Sequence, residues 1–212
     1  MKYNYETEEL FTRYPALEAC RSEIIGAADL LDDCYKKGGK ILLCGNGGSC
    51  ADCDHITGEL LKGFLSRREL NSDVRAKMKS KNALLTEEDF DNLQLGLPAI
   101  SLCSLNALNT AFCNDVHPDY LFAQGTMALG KPGDILICIS TSGNSKNVVN
   151  AAKVANAIGM NVISLTGAGG GKLGTMSAYT VAVPETETFK VQELHLPVYH
   201  YLCAEVEKRA FN

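Results

Sequence analysis

The sequence predicts an α/β fold, a three-layer doubly wound arrangement in which a five-stranded parallel sheet is flanked by helices. Two observations carry this prediction. Short apolar runs alternate with longer segments whose apolar residues recur every three or four positions. Two of the apolar runs are followed by a loop of small residues that opens a helical segment, which is typical of parallel strands joined by right-handed crossovers.

The predicted elements follow from these patterns. The strands are residues 40–44, 97–102, 134–139, 161–165 and 179–183, and the helices are residues 15–37, 49–64, 106–114, 117–129, 145–158 and 190–209. In the first helix, Leu17, Cys20, Ile24 and Leu31 recur at helical spacing, and Gly38-Gly39 ends the segment.

We interpret residues 1–212 as a single domain with an N-terminal helical segment at residues 1–39 and an insertion at residues 66–96. Twelve of the 28 residues from 66 to 93 are charged, which indicates a solvated surface rather than a specific site. Thr86 and Asp89 have the spacing of a capping box at the start of a short helix. The insertion is therefore predicted to be exposed and partly mobile.

Charge and composition exclude several classes of partner. The formal net charge of −5 argues against nucleic acid and against a membrane surface, because both require a basic face. No apolar run reaches the roughly 18 residues of a membrane span. The first nine residues are polar and acidic, so we expect a cytoplasmic protein. The nine cysteines are an odd number and are scattered, which favours reduced thiols.

The two small-residue loops predict an anion site. Residues 45–49 (Gly-Asn-Gly-Gly-Ser) and 140–145 (Ser-Thr-Ser-Gly-Asn-Ser) each join the end of a strand to the start of a helix. Backbone N–H groups, hydroxyls and the positive end of a helix converge at such junctions, where phosphate is the most frequent ligand. Ligands of parallel sheets also bind at the carboxyl ends of the strands. Two loops therefore indicate a phosphorylated ligand held from two sides.

Two nucleotide-binding motifs are incomplete in this sequence. The dinucleotide motif G-x-G-x-x-G would require glycine at position 50, where the chain has Cys50. The P-loop motif would require Ser or Thr after Lys172, where the chain has Leu173. No nucleotide cofactor is expected. The pair Cys50-x-x-Cys53 at a helix N-terminus leaves a redox role as an alternative, because that position stabilises a thiolate.

A second polar cluster has acid–base character. His55 and Glu59 are four residues apart on one predicted helix and share a face. The last helix carries Gln192, Glu193, His195 and His200, with Pro197 expected to kink it. Carboxylate, imidazole and amide groups of this kind either hold a metal or transfer protons, and the residues alone leave both alternatives open.

Three separated motifs together resemble the phosphoheptose isomerase family, which comprises sedoheptulose-7-phosphate isomerases with a sugar-isomerase (SIS) domain. They are Cys44–Ser49 with His55 and Glu59, Ile139–Ser145, and Gln192-Glu193-x-His195 with His200. The resemblance runs through residues 15–65 and 97–210. It implies the SIS fold, a homotetramer with active sites between subunits, and an aldose–ketose isomerase, an intramolecular oxidoreductase of carbohydrate metabolism that acts through an enediol.

The resemblance also implies roles for individual residues. It places substrate contacts at Asn46, Gly47, Ser49, Asp115, Ser140, Thr141, Ser142, Ser145 and Gln192, of which the residues in loop 140–145 hold the phosphate. Glu59 matches the catalytic base and His200 the acid. In metal-containing members of the family, His55, Glu59, Gln192 and His200 match the ligands of one zinc ion per active site.

The chain departs from the family pattern at two positions. Phe189 stands where the family has an aspartate, with Glu187 the nearest acid, and Gly63 stands where it has an arginine, next to Lys62. These departures leave the exact phosphosugar open. The alternative function is a non-catalytic SIS module that binds a phosphosugar or regulates a partner. Such relatives lack the glutamate and the final histidine, and this chain has both.

Overall fold

A computed structural model of the chain, which describes residues 5–211, has five parallel strands in one sheet with the order β2-β1-β3-β4-β5. The strands are β1 (Ile41–Gly45), β2 (Ala99–Ser101), β3 (Ile135–Ile139), β4 (Asn161–Gly167) and β5 (Tyr179–Val183). The predicted α/β fold is confirmed, and each predicted strand is present. β2 is shorter than predicted, and β4 extends two residues further.

The helices surround the sheet on both faces. They are α1 (Thr7–Arg13), α2 (Arg21–Lys36), α3 (Gly48–Leu61), α4 (Ser72–Lys81), α5 (Glu87–Asp91), α6 (Asn106–Asp115), α7 (Leu121–Leu129), α8 (Lys146–Ala157) and α9 (Thr188–Phe211). The predicted helix at 15–37 is divided into a 3₁₀ segment, Pro15–Cys20, and α2. Pro197 lies inside α9, which continues past it to Phe211. Helix α1 lies within the predicted N-terminal helical segment at residues 1–39, of which residues 1–4 lie outside the described residues, but the sequence did not predict it as a separate helix.

Two apolar cores explain why the central strands are continuous hydrophobic runs. Successive side chains of a strand point to opposite faces. Leu43 and Ile137 pack on one face, in the core that contains residues of α2, α3 and α9. Leu42 and Leu136 pack on the other face, against residues of α7 and α8. Helices thus bury both faces of the sheet, which is the arrangement expected for parallel strands.

The charged insertion is less exposed than predicted. Helix α4 has no buried residue, and Thr86 forms the predicted capping box at the start of α5. However, Leu70 and Phe90 are buried, and so is the charged side chain of Arg68. The prediction of an exposed segment is therefore wrong for these three residues. Among the helices of residues 5–211, none combines the length and apolar character that crossing a membrane requires.

Candidate active site

The two small-residue loops begin at the same level of the sheet. β1 and β3 are neighbours, and Gly45 pairs in register with Ile139, immediately before loop 140–145. Loop 45–49 leads into α3, and loop 140–145 leads into α8. The first turns of α3 and α8 contain no acidic residue. The positive ends of two helices therefore lie at adjacent strands without a competing carboxylate.

Side chains connect the two loops to each other. Asn46 and Asn147 exchange two amide hydrogen bonds of 2.9 Å each, which join the first loop to the first turn of α8. The hydroxyl oxygens of Ser140 and Ser145 lie 3.0 Å apart. Ser49 is buried at the start of α3. Hydroxyl groups, amide groups and helix N-termini thus converge on one region, as an anion site requires.

A third loop, residues 168–172 after β4, supports the second one. Gly143 has a φ of +64°, and a β-carbon there would collide with the carbonyl oxygen of Gly170. Ser142 Oγ accepts a hydrogen bond from the N–H of Asn144 at 3.2 Å. The side-chain oxygen of Asn144 in turn accepts the N–H of Lys172 at 3.1 Å. The supporting role of this third loop was missed from the sequence.

Helices α3 and α9 lie side by side and run in the same direction. At their N-terminal ends, the amide of Gln192 is so close to Gly48 that a β-carbon at Gly48 would collide with it. Further along, His55 contacts Tyr199 and His200. We refer to the two loops together with Gln192 as the loop end, and to His55, Glu59 and His200 as the acid–base end.

Hydrogen bonds organise the acid–base end. The hydroxyl of Tyr199 donates to Asp52 Oδ1 at 3.2 Å and lies 3.1 Å from His55 Nδ1. The other ring nitrogen of His55, Nε2, lies 3.4 Å from Glu59 Oε1. Lys62 Nζ lies 2.9 Å from Glu59 Oε2. Glu59 is therefore placed between an imidazole and an ammonium group.

His200 completes this end of the site. Its ring stands edge-on to the rings of His55 and Tyr199, with centroids 5.1 Å and 5.0 Å away, and it lies beside Phe64. Burial lowers the pKa of His200, and the nearby His55 lowers it further. The side chain also lines a cleft of about 330 Å³ together with Arg13 of α1. A neutral imidazole that faces a cleft can accept and donate protons.

His195 lies away from this cleft. Its imidazole is fully buried, and Nε2 lies 3.2 Å from the backbone oxygen of Thr166. Nδ1 has no hydrogen-bond partner among the described residues. Burial lowers the pKa of His195 to about 4. This histidine, which the sequence grouped with the acid–base residues, has the environment of a neutral structural residue.

A buried ion pair holds the C-terminal end of α3 against α9. Arg68 Nε donates to Glu207 Oε1 at 2.6 Å, and the side chains are 0% and 2% exposed. The same guanidinium donates to the backbone oxygens of Glu59 and Leu60. Arg68 thus satisfies carbonyls that the end of a helix leaves without partners. Neither residue was identified from the sequence, because they lie far apart in the chain and no local motif contains them.

The structure brings together some of the predicted site residues and separates others. His55, Glu59 and His200 cluster, whereas Gln192 lies beside Gly48, eight residues and about 12 Å of helix rise before His200. Asp115 is at the end of α6, where its carboxylate accepts the Asn114 amide. The loop end and the acid–base end of one protomer are thus separated by two to three helical turns.

Comparison with known proteins identifies the family. The SIS domain family matches residues 2–94 and 90–167. The phosphoheptose isomerase of Shewanella pealeana is 36% identical over 208 residues, which cover 97% of this chain and 92% of the relative. The chain belongs to the phosphoheptose isomerase family. Solved phosphoheptose isomerases from Neisseria gonorrhoeae (33% identity, TM-score 0.74) and Francisella tularensis (32%, 0.76) each match 92% of this chain and 91% of their own.

Only some of the four residues expected to hold zinc, His55, Glu59, Gln192 and His200, lie together within one protomer. Among residues 5–211, no group of three or more His, Cys, Asp or Glu side chains is arranged to hold a metal ion. Two donors nevertheless fit, because His55 Nε2 and Glu59 Oε1 face each other. The bond from His55 Nδ1 to Tyr199 is an outer-shell contact of the kind that orients zinc-binding histidines.

Two departures from the phosphoheptose isomerase pattern have a structural context. At Gly63, a β-carbon would collide with the backbone oxygen of Ser66, so the backbone has no room for a side chain there. The neighbouring Lys62 instead reaches Glu59. Phe189 is 56% exposed at the start of α9. Lys62 thus contacts the acid–base end, and Phe189 lies three residues before Gln192.

The environment of the Cys50-x-x-Cys53 pair does not support a redox role. Burial, together with the nearby Cys103, raises the pKa of Cys50 to about 11, so Cys50 is not the activated thiolate that this role requires. Burial also raises the pKa of Cys53. The thiol with a lowered pKa, about 6, is Cys103, chiefly through its interaction with Cys53. All nine cysteines are free.

Proposed function

We propose that this chain is an aldose–ketose isomerase, an intramolecular oxidoreductase that interconverts sedoheptulose 7-phosphate and an aldose phosphate through an enediol. The observation that carries the proposal is the cluster of Glu59, His55 and His200 on α3 and α9, together with the small-residue loop at the opposite end of α3. A non-catalytic SIS module would not need such a cluster. The curated relatives at 36–37% identity are phosphoheptose isomerases.

Each group of site residues has its own role in the proposed reaction. Loop 140–145 binds the phosphate through hydroxyl and N–H groups, and Asn46, Gly47, Ser49 and Gln192 line the sugar. Glu59 removes a proton from C1 of the ketose, which gives an enediol, and the proton returns to C2 of the aldose. His200, held neutral by burial, donates a proton to one oxygen and accepts one from the other. Asp115, at the end of α6, would contact the substrate.

Zinc is part of the proposal, with His55, Glu59, Gln192 and His200 as the residues that would hold it. When bound, it would supply polarisation of the carbonyl and stabilisation of the enediolate. Glu59 then has two alternative roles, base or ligand. Removal of zinc with a chelator tests whether the reaction needs the metal, because a metal-independent site retains activity whereas a zinc-dependent site loses it and regains it when Zn²⁺ is added.

Assembly also belongs to the proposal. Glu59 lies about 16 Å of helix rise from Gly48, too far for one compact site within a protomer. A homotetramer with active sites between subunits would bring the loop end of one copy to the acid–base end of another. We further propose a cytoplasmic location, in agreement with nine free cysteines, and no nucleic-acid or membrane partner, in agreement with the net charge of −5.

The experiment is conversion of sedoheptulose 7-phosphate in D₂O, with product and deuterium incorporation followed by NMR. Wild type is expected to convert the sugar and to incorporate solvent deuterium, because an enediol exchanges its proton. Glu59→Gln should lower kcat by about 10²–10⁴-fold. Glu88→Gln, at an exposed carboxylate of α5, is the matched control and should match wild type. An inert wild type, or equal rates for wild type and Glu59→Gln, would contradict the proposal.

A further inference from the structure

Four side chains of α3 and α9 are linked in series by three polar contacts. Asp52 Oδ1 accepts from the Tyr199 hydroxyl at 3.2 Å, and the same hydroxyl lies 3.1 Å from His55 Nδ1. His55 Nε2 then lies 3.4 Å from Glu59 Oε1. Tyr199 is only 2% exposed, so its hydroxyl depends on these protein partners. Neither Asp52 nor Tyr199 is among the residues that the sequence predicts to be catalytic, substrate-binding or metal-binding.

Counting protons fixes the direction of each bond. An ionised aspartate can only accept hydrogen bonds, and a phenol has a single proton. Because Tyr199 donates that proton to Asp52, it can only accept from His55. Phenols ionise only at about pH 10, so below that pH the Tyr199 hydroxyl keeps its proton. Nδ1 of a neutral His55 must therefore carry the imidazole proton, and Nε2 must carry the lone pair.

We propose that Asp52 and Tyr199 are positioning residues that hold His55 in the Nδ1–H tautomer, so that its Nε2 lone pair faces the carboxylate of Glu59. This inference builds on the proposed function, because it explains how the acid–base end is prepared. Two lone pairs directed at one point attract a proton or a cation such as Zn²⁺. Asp52 and Tyr199 determine the tautomer, because the hydrogen bond made by one ring nitrogen determines whether the other nitrogen carries the proton.

The tautomer can be observed directly, without substrate or metal. We suggest ¹⁵N labelling of the four histidines and long-range ¹H–¹⁵N spectra at about pH 8.5, two units above the ordinary histidine pKa of about 6.5. The His55 signals are assigned by their loss in His55→Gln. Wild type should show His55 with a protonated Nδ1 and a bare Nε2. A wild-type His55 protonated at Nε2 would overturn the proposal.

Two variants test the outer residues. In Asp52→Ala the Tyr199 hydroxyl has lost its acceptor and can donate to Nδ1, so His55 should shift to the Nε2–H tautomer. In Tyr199→Phe the tautomer is no longer imposed, and both forms should appear. The matched control is Tyr201→Phe, since Tyr201 is equally buried on α9 but its hydroxyl bonds to Thr7, 2.9 Å away. His55 should be unchanged in this variant.

A second readout uses Zn²⁺ alone, titrated into metal-free protein. Loss of an outer-shell partner typically costs 10–100-fold in metal affinity. Tyr199→Phe should therefore bind Zn²⁺ 10–100-fold more weakly than wild type, and Tyr201→Phe should bind it equally well. A Tyr199→Phe protein with the wild-type tautomer or the wild-type zinc affinity would refute the positioning role. Neither readout requires isomerase activity, so a failure of the proposed function is recognised separately.

Discussion

The loop end and the acid–base end of the α3–α9 pair are built in opposite ways. The loop end consists of small residues from neighbouring strands, and glycine conformation and backbone packing determine its shape. At the acid–base end, buried polar side chains fix the geometry, chiefly Tyr199 and the Arg68–Glu207 pair. The first end should therefore be sensitive to added β-carbons, and the second to lost charges and hydroxyls.

The largest effect is expected where the acid–base end depends on a buried charge. Arg68→Met leaves Glu207 without its guanidinium partner, although three backbone N–H groups of residues 64–66 still bind its carboxylate. Breaking a buried pair by removing one partner costs about 3–5 kcal/mol. Urea unfolding should show a loss of this size, with inorganic phosphate binding at the loop end retained in the folded protein.

Arg67→Met is the matched control, because this neighbouring arginine is 68% exposed. Its substitution should change the free energy of unfolding by no more than about 0.5 kcal/mol. Equal effects of the two substitutions would mean that the buried pair does not secure the end of α3. Loss of phosphate binding in folded Arg68→Met would mean that the two ends are not independent.

The same contrast explains what the sequence could predict. The loops were predictable because each is a contiguous motif between a strand and a helix. His55 and Glu59 were predictable because four residues on one helix define a shared face. The partners of the acid–base end were not, because Arg68 and Glu207 are 139 residues apart and meet only in the folded chain. Arg68 also lies in a charged run, where burial of one side chain leaves no local signal.

Short elements were missed for a related reason. Helix α1 has only seven residues, and its burial depends on packing against distant parts of the chain. The 3₁₀ segment Pro15–Cys20 continues the apolar spacing of α2, so periodicity alone cannot separate the two. The sequence grouped Gln192 with the acid–base residues, but its position beside Gly48 becomes visible only when α3 and α9 are seen side by side.

An effect of intermediate size is expected from the buried His195, through the pH dependence of stability. His195, next to the loop end, has a folded-state pKa of about 4, against about 6.5 in the unfolded chain. Between these values the unfolded state binds more protons, so stability falls as the pH decreases from about 6.5 to 4, by about 3 kcal/mol in total. His195→Gln keeps a donor for Thr166 and should remove this part of the pH dependence in urea unfolding.

His117→Gln, at an exposed position, is the control for this measurement. It should leave the acid-induced loss of stability that is assigned to the burial of His195 in place. If His195→Gln had the wild-type slope from pH 6.5 to 4, His195 would have to be protonated in the folded protein. The two ends would then not differ in how they use histidine.

The smallest effect is expected from one methyl group at the loop end. Gly143→Ala forces a β-carbon into a left-handed conformation, φ +64°, against the carbonyl of Gly170, and the conformational part alone costs about 1–2 kcal/mol. The free loop relieves this strain by leaving the binding geometry, and phosphate must restore that geometry when it binds. Because 1.4 kcal/mol corresponds to a factor of ten, inorganic phosphate should bind about tenfold more weakly. Gly169→Ala, where a β-carbon meets nothing within 4 Å, is the control. The His55 tautomer should be unchanged in both variants. A Gly143→Ala protein that bound phosphate like wild type would show that backbone shape does not determine the loop end, since this substitution removes no hydroxyl and no charge.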